Sequence, residues 1–198
     1  MNNEIDKAFE ITKKEKRPAL ISFTVAGDNT SKKSFEILKS ISNTVDIAEW
    51  GIAFNCPGAD GPEIQNSSYR AIKNGITLDS TFSLIKKYKK LKNSKPLILM
   101  GYYQLIYNYG EKKFIKKCKN VGVAGLIVVD LPWPDNKSFA KLCKKNSICF
   151  VQLIAPTTTK KRMKLIVKDS HQLIYQVSNV NITGGKLKST AKTILNNY

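Results

Sequence analysis

At 198 residues, with 42% hydrophobic and 24% charged side chains, the chain is long enough to bury one sizeable core and has the composition of a soluble globular domain. No run approaches the roughly 20 apolar residues that span a bilayer, and residues 1–17 are too polar for a secretory signal, so the cytoplasm is the expected location and no membrane partner is expected. Thirty-three basic against fifteen acidic residues leave a net charge of +18, the balance a polyanion-binding protein carries. Only Arg17, Arg70 and Arg162 are arginines, however, and bidentate recognition of phosphates and bases favours arginine over lysine. Abundant Lys, Asn and Ile together are the drift of A/T-rich coding, so no nucleic-acid partner is expected. Cys56, Cys118, Cys143 and Cys149 make no C-x-x-C pair and no metal-ligand spacing with the single His171. They read as reduced thiols, with no metal site.

In chain order, residues 19–25 form a strand-like apolar run that stops at Gly27-Asp28. Residues 34–41 then place Phe35, Leu38 and Ile41 at helical spacing. A second strand is expected over 45–50, followed by a loop rich in Gly and Pro over 51–62. A helix over 82–91 leads to Pro96 and a third strand over 97–100. An amphipathic helix over 112–119 precedes a fourth strand over 125–129, which ends at Asp130-Leu131-Pro132. Helix 138–145, strand 148–154, helix 159–167, strand 173–178 and a last helix over 187–196 complete the pattern. Strands that are apolar throughout and alternate with helices imply an α/β fold, a parallel sheet covered by helices. A doubly wound sheet and a barrel both satisfy this pattern, and periodicity does not choose between them.

In such folds reactive groups sit just past the carboxyl ends of strands. Glu49 lies near the end of the second strand, and the loop after it returns a second carboxylate, Asp60. An acid flanked by Ala48 and Trp50 would be partly desolvated, which raises its pKa and suits it to proton transfer near neutrality. An acid in a more polar loop would stay ionised and stabilise positive charge, so the two can divide the roles. The plain alternatives are a strand-end salt bridge for Glu49 and a turn for Asp60.

Six segments carry a family resemblance. The longest is Glu49-Trp50-Gly51-Ile52-Ala53-Phe54 through Pro57-Gly58-Ala59-Asp60-Gly61-Pro62-Glu63-Ile64-Gln65-Asn66. The others are Phe23-Thr24-Val25-Ala26-Gly27-Asp28, Met100-Gly101-Tyr102-Tyr103, Gly125 to Pro132, Pro156-Thr157-Thr158-Thr159, and Tyr175-Gln176-Val177-Ser178 with Thr183-Gly184. In this order they resemble tryptophan synthase α subunits, over about residues 20–184. The resemblance implies a TIM-type (β/α) barrel and a lyase of tryptophan biosynthesis. The reaction would be retro-aldol cleavage of indole-3-glycerol phosphate to indole and glyceraldehyde 3-phosphate. It implies Glu49 as the acid/base and Asp60 as the carboxylate that holds the indole N–H. Phe23, Met100, Ile127, Val129, Leu153 and Tyr175 would line the indole pocket, and Thr183 and Gly184 would belong to a closing loop; each apolar one also reads as barrel core. No cofactor is implied for this subunit. Pyridoxal phosphate is implied on a partner β subunit, in an α2β2 tetramer.

The pattern also departs from the family. A barrel of this kind has eight β/α units in roughly 250 residues, whereas residues 1–198 read as a single barrel domain with about six, lacking the last two. The family's phosphate loops follow strands seven and eight, so full activity is expected to need a completing segment or partner. Ala53 stands where the family has proline, Cys56 where it has aspartate, and Asn179 where it has arginine, at positions that concern coupling to the β subunit. The alternative function is an impaired or inactive α-like protein that only binds the β subunit, which these coupling changes disfavour.

Overall fold

A computed structural model describes residues 3–170 and 172–178. Its first half runs α1 (Glu4–Lys14), β1 (Ile21–Val25), α2 (Ser31–Ile41), β2 (Ile47–Gly51), α3 (Pro62–Lys73), α4 (Leu78–Tyr88) and β3 (Leu97–Gly101). Its second half runs α5 (Tyr103–Tyr109), α6 (Glu111–Val121), β4 (Gly125–Val128), α7 (Lys137–Lys145), β5 (Cys149–Phe150), β6 (Gln152–Ile154), α8 (Lys160–Asp169) and β7 (Ile174–Gln176). The helix expected over 187–196 lies outside the described residues.

Strands β1 to β5 pair in parallel in chain order, and β6 pairs in parallel with β7. The strand expected over 148–154 is split between β5 and β6. Its first half pairs with β4 and its second with β7, while the Val151 N–H still donates to the Leu126 carbonyl at 2.9 Å. An order without reversal settles the architecture, because a doubly wound sheet changes direction at a switch point and a barrel does not. The described residues thus form a six-strand arc, an incomplete (β/α) barrel whose β1 and β7 each pair on one side.

Strand alternation divides the interior in two. Ala48, Trp50, Leu97, Leu99, Leu126, Val128 and Phe150 face outward, and Phe82, Tyr88, Phe114 and Phe139 from the helices cover them. The alternate positions Ile47, Ile98, Ile127, Cys149 and Val151 face inward and meet Ile5 and Ala8 of α1. Gly125 opens β4 at the amino-terminal mouth, where an added Cβ would lie 2.9 Å from Ile5 Cδ1. Helix α1 therefore plugs that mouth, and Asn3 fixes it by donating from Nδ2 to the Ala124 carbonyl at 2.9 Å. In (β/α) barrels the reactive groups lie at the opposite, carboxyl-terminal mouth.

Three helices lie where apolar spacing gives little sign of them. Helix α1 buries only Ile5, Ala8 and Thr12, so its stripe is too thin to read, but Asn3 and Asp6 form a capping box at its start. Helix α3 buries Ser67, Ser68 and Ala71, which hydropathy does not register. Its sequence sign is Pro62 followed by Glu63, a proline at the first helical position with an acid in the first turn. Helix α5 buries only Ile106, and its first N–H, on Tyr103, is accepted by Asp130 Oδ1 at 2.7 Å across 27 residues.

Candidate active site

Glu49 is the third residue of β2, paired in register with Phe23 of β1 and Ile98 of β3. Parity turns it inward, away from Ala48 and Trp50, which pack toward the helices. Its desolvation therefore comes from the barrel interior and not from its sequence neighbours. The residue is 8% exposed. Among the described residues its carboxyl has no hydrogen-bond partner, and burial alone pushes its pKa up to about 7. A carboxyl so placed holds a proton near neutrality and can release it without first breaking an internal bond.

Asp60 is reached by the loop that leaves β2. The Asp60 N–H donates to the Pro57 carbonyl at 3.0 Å, closing a tight turn, and Gln65 Nε2 donates to the Asp60 carbonyl at 2.7 Å. Helix α3 begins two residues later. The loop is less polar around this side chain than its sequence implies, because Asp60 is only 4% exposed. Burial raises its pKa, and the Tyr102 hydroxyl, donating to Oδ2 at 2.9 Å, offsets only part of that rise. Tyr102 follows β3, is buried, and stacks on Phe54 with ring centroids 4.9 Å apart. Its hydroxyl also accepts the Ala59 N–H at 3.1 Å. Tyr102 lies inside a family segment but carries no role in the sequence pattern; a polar aromatic just past a buried strand is its available signal.

The residues that the sequence suggests for the pocket lining fall on the same inward face. Met100, Val129 and Leu153 are half-buried and pack with buried Ile127 in the inner cluster. Phe23 lies across β2, since a Cβ on Gly51 would come within 2.6 Å of its ring, so Gly51 makes room for that ring. Tyr175 on β7 stands opposite Leu153 of β6 and is 42% exposed. Burial of part of its ring and then the nearby charge of Glu49 raise its phenol pKa, which places the two residues within electrostatic reach. Ala53 is half-buried and Cys56 exposed in the loop after β2. Thr183, Gly184 and Asn179 lie outside the described residues. Among the described residues no group of three or more His, Cys, Asp or Glu side chains could hold a metal ion.

The family model described as tryptophan synthase alpha chain matches residues 9–196. The tryptophan synthase alpha chain of Pelagibacter ubique (strain HTCC1062) is 58% identical over 194 residues, 98% of this chain and 73% of the relative. A crystal structure of tryptophan synthase subunit alpha from Legionella pneumophila superposes with a TM-score of 0.84 at 30% identity, covering 88% of this chain and 67% of that one. The structure of the tryptophan synthase α2β2 complex from Pyrococcus furiosus superposes with a TM-score of 0.76 at 35% identity, over 80% of this chain and 65% of that chain. With these matches spanning most of its length and the same barrel beneath them, the chain belongs to the tryptophan synthase alpha chain family.

Proposed function

We propose that this chain cleaves indole-3-glycerol phosphate to indole and glyceraldehyde 3-phosphate in the cytoplasm, with Glu49 as acid and base and Asp60 as the partner of the indole N–H. The observation that carries the reading is the state of Glu49, buried, without a hydrogen bond among the described residues, and with a pKa near 7. An indole carbanion is a poor leaving group, so C3 must first be protonated to an indolenine. Glu49 gives that proton, and the ring nitrogen becomes positive against the Asp60 carboxylate. The Glu49 carboxylate then takes the proton of the side-chain hydroxyl. The new carbonyl forms as the C–C bond breaks, and its electron pair returns to the ring. One proton leaves Glu49 and one comes back, so the cycle closes with no oxidant, metal or organic cofactor.

The partner proposed is a β subunit carrying pyridoxal phosphate, in an α2β2 assembly like that of the Pyrococcus furiosus relative. It would dock at the carboxyl-terminal mouth, where Tyr107 of α5 is 68% exposed and Cys56 is also exposed. The lining roles of Phe23, Met100, Ile127, Val129, Leu153 and Tyr175 are part of the same proposal, as are closing-loop roles for Thr183 and Gly184. Indole release from indole-3-glycerol phosphate, with and without a β subunit, tests it. Glu49→Gln is expected to lower turnover about a thousandfold, the size of a lost general acid. Undiminished turnover in that variant would end the assignment.

A further inference from the structure

We propose that Tyr102 is a positioning residue for this reaction, its hydroxyl holding Asp60 so that one carboxylate oxygen is fixed and the other is free for the indole N–H. The proposal deepens the reading of Asp60 given above and rests on it. Tyr102 donates to Oδ2 at 2.9 Å, whereas Oδ1 accepts no hydrogen bond among the described residues. Two contacts and the chain's exit from β3 fix the hydroxyl's own position. The ring is stacked on Phe54, the backbone leaves β3 immediately before it, and the Ala59 N–H points its hydrogen at the same oxygen.

With its lone pair occupied by Ala59, the hydroxyl has its proton left to give, and the Asp60 carboxylate is the acceptor in reach. The arrangement also answers a physical difficulty. A carboxylate that must balance a positive ring nitrogen is needed as an anion, yet Asp60 is buried and burial favours its neutral form. A hydrogen bond to the charged form works against that preference. The ionisable groups that bear on the pair are Tyr102 itself, from the end of β3, and Asp130, from the end of β4, whose charge reaches the phenol. Asp130 Oδ1 itself accepts the Tyr103 N–H at 2.7 Å. The charges of Asp60 and Asp130 both act to keep the proton on Tyr102, so the hydroxyl stays a donor.

Tyr102→Phe removes the donor and keeps the ring. A site-specific 3-fluorotyrosine at position 102 keeps the fold and makes the donor stronger, which guards against a variant that simply unfolds. The Asp60 carboxyl is followed by carbon-13 NMR titration in each form, and kcat and KM for indole release are measured with and without Asp60→Asn. Expected are an Asp60 titration moved to higher pH in Tyr102→Phe and to lower pH with fluorotyrosine. Turnover should fall about tenfold in Tyr102→Phe with KM changed much less, and no further in the Asp60→Asn background. An Asp60 titration indifferent to both changes would overturn the proposal. So would losses that multiply in the double variant, since Tyr102 would then act independently of Asp60. The titration needs no turnover, so it decides the bond even if indole release is absent. If Asp60→Asn keeps full turnover while the titration still moves, the assignment of Asp60 has failed and the catalytic role of Tyr102 falls with it.

Discussion

A carboxyl group that loses its water without gaining a cation keeps its proton, and Glu49 is in that position, 8% exposed with a pKa of about 7. The same burial that suits it to acid–base work makes it a weak point in the fold. Its folded pKa lies above the ordinary 4.5, so the folded form binds the proton up to about pH 7 while the unfolded form releases it above 4.5. Stability is therefore lost as the pH rises through that window, and the loss is complete above it. Glu49→Gln, which cannot ionise, is expected to stabilise the protein by about 3 kcal/mol at alkaline pH. The gain should vanish below about pH 4.5. Urea unfolding of the two proteins across this range checks it; a gain independent of pH would place the effect in packing and not in charge. A variant that is more stable and nearly inactive is the expected pattern where a site is built at the expense of stability. At this scale Glu49 stood out in the sequence as an acid inside an apolar run, with its role implied by the family motif. Tyr102 did not, since its partner lies 42 residues away.

The elements divide by task. Strands β2 and β3 deliver Glu49 and Tyr102, the loop into α3 delivers Asp60, and α1 closes the other mouth. Arg70 of α3 donates from Nε to Asp28 Oδ1 at 2.7 Å and from Nη2 to Oδ2 at 2.9 Å, and Ser67 donates to the same carboxylate. This ties α3, and with it the Asp60 turn, to the loop after β1. The pair is half exposed, so its own contribution to stability is small and its value is geometric. The plug is a matter of volume. Gly125→Ala would bring a Cβ to 2.9 Å from Ile5 Cδ1 and 3.3 Å from the Cys149 carbonyl oxygen. It is expected to cost about 1–2 kcal/mol as overpacking, and Ile5→Val in that background should recover part of it. Chemical denaturation of the single and double variants measures both, and purely additive losses would show that the two residues do not meet. Strand positions were readable because every residue of β2 and β4 is buried and apolar runs announce that. Helices α1, α3 and α5 were not, because their buried faces are short, small or polar.

Across the whole molecule, charge and shape act against each other. A net charge of +18 keeps copies apart. Among the described residues β1 and β7 each offer an edge, with Leu20 beside the first 48% exposed and Tyr175 on the second 42% exposed. Open parallel edges invite pairing with another chain. Salt should therefore promote association, as the screening length falls from about 30 Å at 0.01 M to about 8 Å at 0.15 M. Light scattering across that series is expected to show mass rising with salt, and constant mass would mean that the edges are covered. No helix among the described residues is long and apolar enough to cross a membrane.

The sequence alone determined the alternation of strands and helices and the family, and nominated the two carboxylates through the family motif, because apolar runs, punctuating Gly and Pro, and a contiguous motif are local properties of the chain. Tertiary structure decided that the strands run in order around an arc, that Ala48 and Trp50 turn away from Glu49, and that Asp60 is buried against a tyrosine. Those outcomes depend on which distant groups exclude water and supply hydrogen bonds. Proximity of that kind is created by folding and has no imprint on local spacing.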